Sequence, residues 1–391
     1  MPLMLQQPST SADLVRQAEA AVRRRDAASA LRLLREAEAG GPASVELHMT
    51  RALAFRVAGQ PAAAIEALDQ ALALEPYTFL ALLSKGALLE QLRRPKLAAG
   101  AYKNALAIAP TAPAPPLAAA IERARSCVEE QAVALQQHLA TAVADVRARH
   151  AGEALGRFDE ALDIFAGRAK PFPQQPLLLH YPRLPAIPFF ERAGFPWLEE
   201  LEAATPVIQA ELQQVLEQGF GGYQPYIAYP PGSPVNQWGE LNHSRRWSTY
   251  FLWRDGVRQE QACEACPRTA ALLERMPLQR QPGFAPTAMF SALEPHTTIP
   301  PHTGSANTRL IVHLPLIVPG PARFRVGAET REWRVGEAWV FDDSIEHEAW
   351  NDADGLRVVL IFDVWNPLLS EAERDLITAM MAAKNAWQAG S

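Results

Sequence analysis

The chain has 391 residues, a net charge of -6 and an isoelectric point near 5.9, with 48% hydrophobic and 20% charged residues. That is enough apolar material for two packed domains and too much for wholesale disorder. The acidic balance argues against a nucleic-acid protein, whose footprint is a basic patch. No apolar stretch approaches the roughly 18 residues of a membrane span. The opening MPLMLQQPSTSADLVRQAEAAVRRR has no apolar core behind a basic start. Three cysteines, Cys127, Cys263 and Cys266, are no disulfide framework. Cys263-x-x-Cys266 lacks both the second pair of a structural zinc site and the βαβ context of a redox motif, so ordinary thiols are expected. The expectation is a cytoplasmic protein with neither a nucleic-acid nor a membrane partner.

The first 150 residues are rich in alanine and leucine and repeat at a spacing of 34. Ala30, Ala64 and Ala98 form one series, Leu34, Leu68 and Tyr102 a second, and Ala37, Ala71 and Ala105 a third. Pro42, Pro76 and Pro110 form a fourth, and Ala18, Ala52 and Gly86 fall in the same register. Small residues let paired helices approach closely, and the proline stops the second helix because it cannot continue one. This pattern resembles the tetratricopeptide repeat. The proline-rich TAPAPP follows, and then an apolar face stepping by three or four from Leu117 through Ile121, Ala124, Val128, Ala132, Leu135, Leu139 and Val143 to Val146. One long helix is expected there, capping the repeat array. The helical domain is placed at residues 9–150, with a connecting segment at 151–169.

From about Ala169 the pattern changes. KPFPQQPLLLHYPRLPAIPFF is proline-dense and not helical, and a helix is expected around Trp197 to Leu216. Beyond it, TAMFSALEP, TRLIVHLPLIV, ARFRV, EAWVFD and RVVLIFDVW read as strands separated by Gly, Pro and Asp. Many short strands without intervening helices predict a sandwich, jelly roll or barrel over 170–370, followed by a C-terminal helix over 371–391.

Four of the nine histidines, His296, His302, His313 and His347, fall in this strand-rich region. Imidazole is the commonest protein ligand for first-row transition metals, and a jelly roll can bring distant strands together. Spacing alone leaves each histidine open between ligand and satisfied core residue. The surrounding stretches FSALEPHTTIPPHTG, NTRLIVHLPLIVP, EWRVGEAWVFDDSIEHEAWN and LRVVLIFDVWNP, with weaker support from LLHYPRLPAIPFF, RRWSTYFLW and QACEACPRTAALLERMP, resemble the aspartyl/asparaginyl β-hydroxylase family over roughly residues 170–370.

The resemblance implies a double-stranded β-helix, a cupin-like jelly roll, that binds Fe(II) through His302 and His347 and uses 2-oxoglutarate and O2. Most non-haem iron oxygenases add a carboxylate. It would stand two residues after the first histidine, where this chain has Gly304 and where the family itself carries glycine. By the same resemblance Ser291 and Arg357 hold the distal carboxylate of 2-oxoglutarate, His313 lies near its proximal carboxylate and Trp247 lines its site. A planar guanidinium suits a carboxylate, although by residue type alone Arg357 could also be a strand-edge surface charge. Characterised animal members have arginine where this chain has Ile311, so a basic contact is either absent or supplied by another residue such as Arg309. Asp342, Asp343 and Glu346 are read as turn formers or as partners that orient the His347 imidazole. The implied reaction is hydroxylation of an unactivated carbon, first the β-carbon of aspartyl or asparaginyl residues in a peptide or protein recruited by the repeats. The alternatives are a small-molecule or lipid acyl substrate, or a non-catalytic repeat scaffold for a partner protein.

Overall fold

The computed structural model describes residues 10–218 and 222–389, and the chain divides into two compact units between Lys170 and Pro171. Residue 9, where the sequence reading starts the helical domain, and residues 390–391 at the end of the expected C-terminal helix lie outside the described residues.

The first unit is helical. Helices α1 (Ser11–Arg23) and α2 (Ala27–Gly40), α3 (Val45–Val57) and α4 (Pro61–Leu74), and α5 (Phe79–Gln91) and α6 (Pro95–Leu106) form three hairpins. Their starts are chemically marked. Thr10 and Asp13 make a capping box, Asp26 and Ser44 accept backbone N–H groups, and Pro61 and Pro95 occupy first-turn positions. The link inside each hairpin passes through a left-handed residue, Arg25, Gly59 or Arg93, again 34 apart. The alanine series is fully buried, which is how helices without bulky side chains pack tightly. A Cβ on Gly86 would overlap the Tyr102 ring. The third hairpin therefore accommodates its larger residue at 102 by removing the side chain opposite, where the first two pair Ala18 with Leu34 and Ala52 with Leu68.

Helix α7 (Pro115–Ala142) covers α6 through Ala124 and Cys127, and Arg123 pairs with Glu90, which accepts from the Tyr102 hydroxyl. Only the front half of the expected face is covered; Leu135 is 40% exposed, and the helix stops before Val143. Val146 belongs to a separate short helix, α8 (Ala144–Arg149). The segment at 151–169 is not a connector. Most of it is α9 (Gly156–Ala166), which packs on α7, is tied to α8 by Arg147–Asp159 and ends at Gly167 in the left-handed region. Leu155, Leu162 and Ala166 provide its inward side, a face too short to register as periodic.

In the second unit the single helix expected near 197–216 is two, α10 (Leu198–Ala203) and α11 (Thr205–Glu217). Pro206 has no N–H to donate, and Thr205 Oγ1 bonds the Glu202 carbonyl instead. Then come β1 (Gln224–Pro225), β2 (Trp247–Arg254), β3 (Val257–Arg258), α12 (Glu260–Ala265) and α13 (Pro267–Arg275). The remaining strands are β4 (Ala288–Leu293), β5 (Thr297–His302), β6 (Arg309–Ile317), β7 (Ala322–Val326), β8 (Glu329–Glu332), β9 (Trp339–Phe341), β10 (His347–Asn351) and β11 (Arg357–Trp365), before α14 (Glu371–Ala389). One sheet runs β1-β2-β4-β11-β6-β9 with β3 on the flank of β2, and the other runs β5-β10-β7-β8. Strands β4 to β11 thus cross repeatedly between two antiparallel sheets, which is jelly-roll wiring. Strand β5 was not legible because of Pro300 and Pro301, but it lies on a sheet edge, where a missing N–H is tolerated.

Period-two alternation assigns the faces of the large sheet. Leu310, Val312, Leu314, Val358, Leu360 and Phe362 pack in one core with Leu198, Leu201, Ile208 and Leu212 of the helices. Arg309, Ile311, His313, Arg357, Ile361 and Asp363 take the opposite face, toward the second sheet. Cys263 and Cys266 are buried free thiols in the helix-side core, and burial pushes Cys266 up to about 12.

Candidate active site

A cavity of about 470 Å³ lies on that inner face. His302 ends β5 and His347 begins β10, and the antiparallel register sets them directly opposite, with a bulge just after His347. Their ring centroids are 4.0 Å apart. His302 Nδ1 lies 2.8 Å from the Pro300 carbonyl and His347 Nδ1 3.0 Å from the Ile345 carbonyl. A carbonyl can only accept, so both Nδ1 atoms carry hydrogen and both Nε2 atoms present a lone pair. Burial holds His302 down to about 3, with His347 adding to the effect, and burial holds His347 down to about 4. The pair is therefore neutral, the state a divalent metal requires.

Among the described residues no group of three or more His, Cys, Asp or Glu side chains could hold a metal. The reason sits at Gly304, where an added Cβ would overlap the Asp343 carboxylate. The Gly304 N–H donates to the Asp343 carbonyl at 2.6 Å, and the buried Asp343 Oδ1 has no hydrogen-bond partner. Asp343 thus fills the space of a side chain at 304. Within the acidic run, the Asp343 backbone carbonyl accepts from the His347 ring. Asp342 accepts from Ser344 and Gln174, and Glu346 pairs with Arg325 at 2.9 Å.

Next to the histidines lies a polar end. Arg357 is 2% exposed, its Nη1 donates to the Ser291 carbonyl at 3.3 Å, and its Nε is unpartnered. Among the described residues no carboxylate pairs with it, and burial lowers its pKa to about 9, which leaves it charged at neutral pH. Trp247 Nε1 donates to Ser291 Oγ at 3.1 Å. His313 is buried between Phe324 and Phe341, and burial, with Arg357 and His347 nearby, holds it well below 6.5. A buried charge without a partner costs several kcal/mol, of order 3–5 when a pair is broken, so this end is built to receive an anion.

Away from it the wall is apolar, formed by Phe251, Met289, Ile311 and Ile361. Arg309 lines the same cavity two residues before Ile311, held by Asp363 at 3.0 Å and Asp343 at 3.7 Å. Asp343, Asp363 and Trp333 were not singled out as lining residues by sequence reading; alternation along β11 gave a signal for Asp363, and nothing did for Trp333.

A family model described as aspartyl/asparaginyl beta-hydroxylase matches residues 202–367. An ornithine lipid ester-linked acyl 2-hydroxylase from Rhizobium tropici is 39% identical over 201 residues, covering 50% of this chain and 66% of that protein. The aspartyl/asparaginyl beta-hydroxylase of Homo sapiens is 39% identical over 141 residues, covering 36% of this chain but 18% of its own length. For the helical unit, the TPR domain of Arabidopsis OM64 is 24% identical and covers 30% of this chain and 95% of that domain, at a TM-score of 0.27, too low to carry an argument. The hairpin period, the facing histidines and the match across the jelly roll agree, and the C-terminal unit of this chain belongs to the aspartyl/asparaginyl β-hydroxylase family.

Proposed function

We propose that the C-terminal unit is an Fe(II)- and 2-oxoglutarate-dependent hydroxylase. The observation that carries this reading is the neutral His302–His347 pair, each Nδ1 held by a backbone carbonyl, beside a buried arginine that has no acidic partner among the described residues. His302 and His347 would hold iron, and Arg357 and Ser291 the distal carboxylate of 2-oxoglutarate, with His313 and Trp247 beside it. When bound, iron and 2-oxoglutarate supply the oxidising power: O2 is reduced, 2-oxoglutarate loses CO2 to become succinate, and one oxygen atom enters a C–H bond of the substrate. The chain's own share is positioning. The carbonyls of Pro300 and Ile345 fix the imidazole tautomers, Arg357 orients the cosubstrate through its fork, and the aromatic walls exclude water. Asp343, lining the cavity and unpartnered at Oδ1, would be an acceptor beside the bound groups. A repeat scaffold without catalysis has no use for the uncompensated Arg357.

For the substrate, the first reading is the β-carbon of an aspartyl or asparaginyl residue in a peptide or protein brought by the repeats, with Arg309 meeting its polar end. The apolar wall of Phe251, Met289, Ile311 and Ile361 favours a second reading, an acyl chain, in line with what the Rhizobium relative is named for. A cytoplasmic setting is part of the proposal and suits the free thiols. The test is anaerobic addition of Fe(II) and 2-oxoglutarate, watched for the weak visible charge-transfer band. The wild type should show it, and His302→Ala and His347→Ala should lose both band and succinate formation while keeping their circular dichroism. Full turnover in either variant would sink the assignment. Mass spectrometry of peptides and of lipids after incubation, searched for one added oxygen, separates the two substrate readings.

A further inference from the structure

We propose that Trp333 positions the cosubstrate: its indole face orients the Arg357 guanidinium, and its buried N–H is an additional donor to the carboxylate bound there. The inference rests on the 2-oxoglutarate reading of this end of the cavity. Trp333 lies just after β8, and its backbone N–H donates to the Ala322 carbonyl at 3.1 Å. The side chain lines the cavity and is 4% exposed. The Arg357 Cζ sits 4.6 Å from its ring centroid, over the indole face, a cation–π contact that holds the guanidinium in place. Stacking on Phe324 at 5.4 Å and on Trp339 at 6.0 Å fixes the ring plane.

Packing alone does not account for a tryptophan. Three indoles line this cavity, those of Trp238, Trp247 and Trp333. That of Trp247 donates to Ser291 Oγ, whereas Trp333 Nε1 is buried with no partner. Buried N–H groups in native proteins are nearly always satisfied, and a phenylalanine would fill an apolar slot without that penalty. The nearby Arg357 Nε and His313 Nδ1 are also without partners, and the His313 ring is 6.0 Å from Trp333. Several unsatisfied groups gathered around one buried cation describe a socket for a carboxylate, in which the arginine supplies charge and the indole a directional donor.

The experiment is calorimetric titration into full-length, Mn(II)-loaded protein of 2-oxoglutarate and of 2-oxopentanoate, which replaces the distal carboxylate with a methyl group. Trp333→Phe keeps a ring under Arg357 and removes the N–H. It should weaken 2-oxoglutarate roughly 2- to 12-fold, the range for the net contribution of one ordinary hydrogen bond, and leave 2-oxopentanoate unchanged. Trp333→Leu should weaken 2-oxoglutarate further, and if it does not fold, the phenylalanine variant still decides. Equal loss of both ligands in Trp333→Phe would mean a general packing role and overturn the proposal. So would wild-type affinity in Trp333→Phe while Arg357→Ala binds poorly. Wild-type affinity in Arg357→Ala would instead remove the cosubstrate reading itself.

Discussion

The helical unit and the jelly-roll unit handle buried polarity in opposite ways. Among the described residues of the repeats, His48 and Thr50 are the buried polar side chains, and the rest of the interior is mostly alanine and leucine. The jelly roll buries Ser291, His313, Asp342, Asp343, His347, Arg357 and Asp363, most of them against one cavity. Burying such groups opposes folding unless each is satisfied. Where several are left incomplete in one place, as at Arg357, Asp343 and Trp333, stability has been given up for binding. The contrast teaches where each unit is sensitive: the repeats to volume, the jelly roll to the loss of a partner.

The largest effect expected is at Arg357. Removing a charged hydrogen-bonding group is worth about 1.5–3 kcal/mol, so Arg357→Ala should weaken 2-oxoglutarate roughly 10- to 150-fold in calorimetry. Lysine there should recover part, since it keeps charge but loses the fork. Iron binding should barely change. Unchanged cosubstrate affinity would leave the buried arginine merely structural and erase half of the contrast.

Gly304→Asp asks whether the missing carboxylate is a defect. Its side chain would compete with the Asp343 carboxylate for one space, so turnover should fall, about 10- to 100-fold as for disturbed metal-site neighbours. A several-fold gain in succinate formation would show a degraded three-ligand site instead.

In the repeats, Gly86→Ala should cost about 1–3 kcal/mol by overpacking against Tyr102, although alanine is the better helix former by about 1 kcal/mol. Adding Tyr102→Leu reproduces the pairing of the first two hairpins and should restore much of the loss in urea unfolding. If the single variant is as stable as wild type, volume is not what limits that hairpin.

The smallest effect on the site should follow deletion of residues 1–170. Each unit has its own core, so cosubstrate decarboxylation should persist while reaction with the natural target weakens. The cut belongs at 170, because cutting at 150 would strand α9 without α7. Equal efficiency on the natural target would remove a recruiting role for the repeats.

Sequence alone determined the hairpins, because repeat contacts are made within one period and the 34-residue spacing writes them into the chain; it also determined the long β strands, through their alternation. It did not determine α9 or the break at Ala204, where a short face and a single proline decided. At the site, family resemblance marked His302, His347, Ser291, His313, Arg357 and Trp247, and nothing local marked Trp333. Only the tertiary structure set His302 against His347 across a ladder, put Asp343 in the space beside Gly304 and laid Trp333 under Arg357. The physical reason is distance along the chain. Periodicity reports which face a residue takes within its own element, whereas the partners of a buried charge come from strands and loops whose meeting is fixed by how two sheets close on each other.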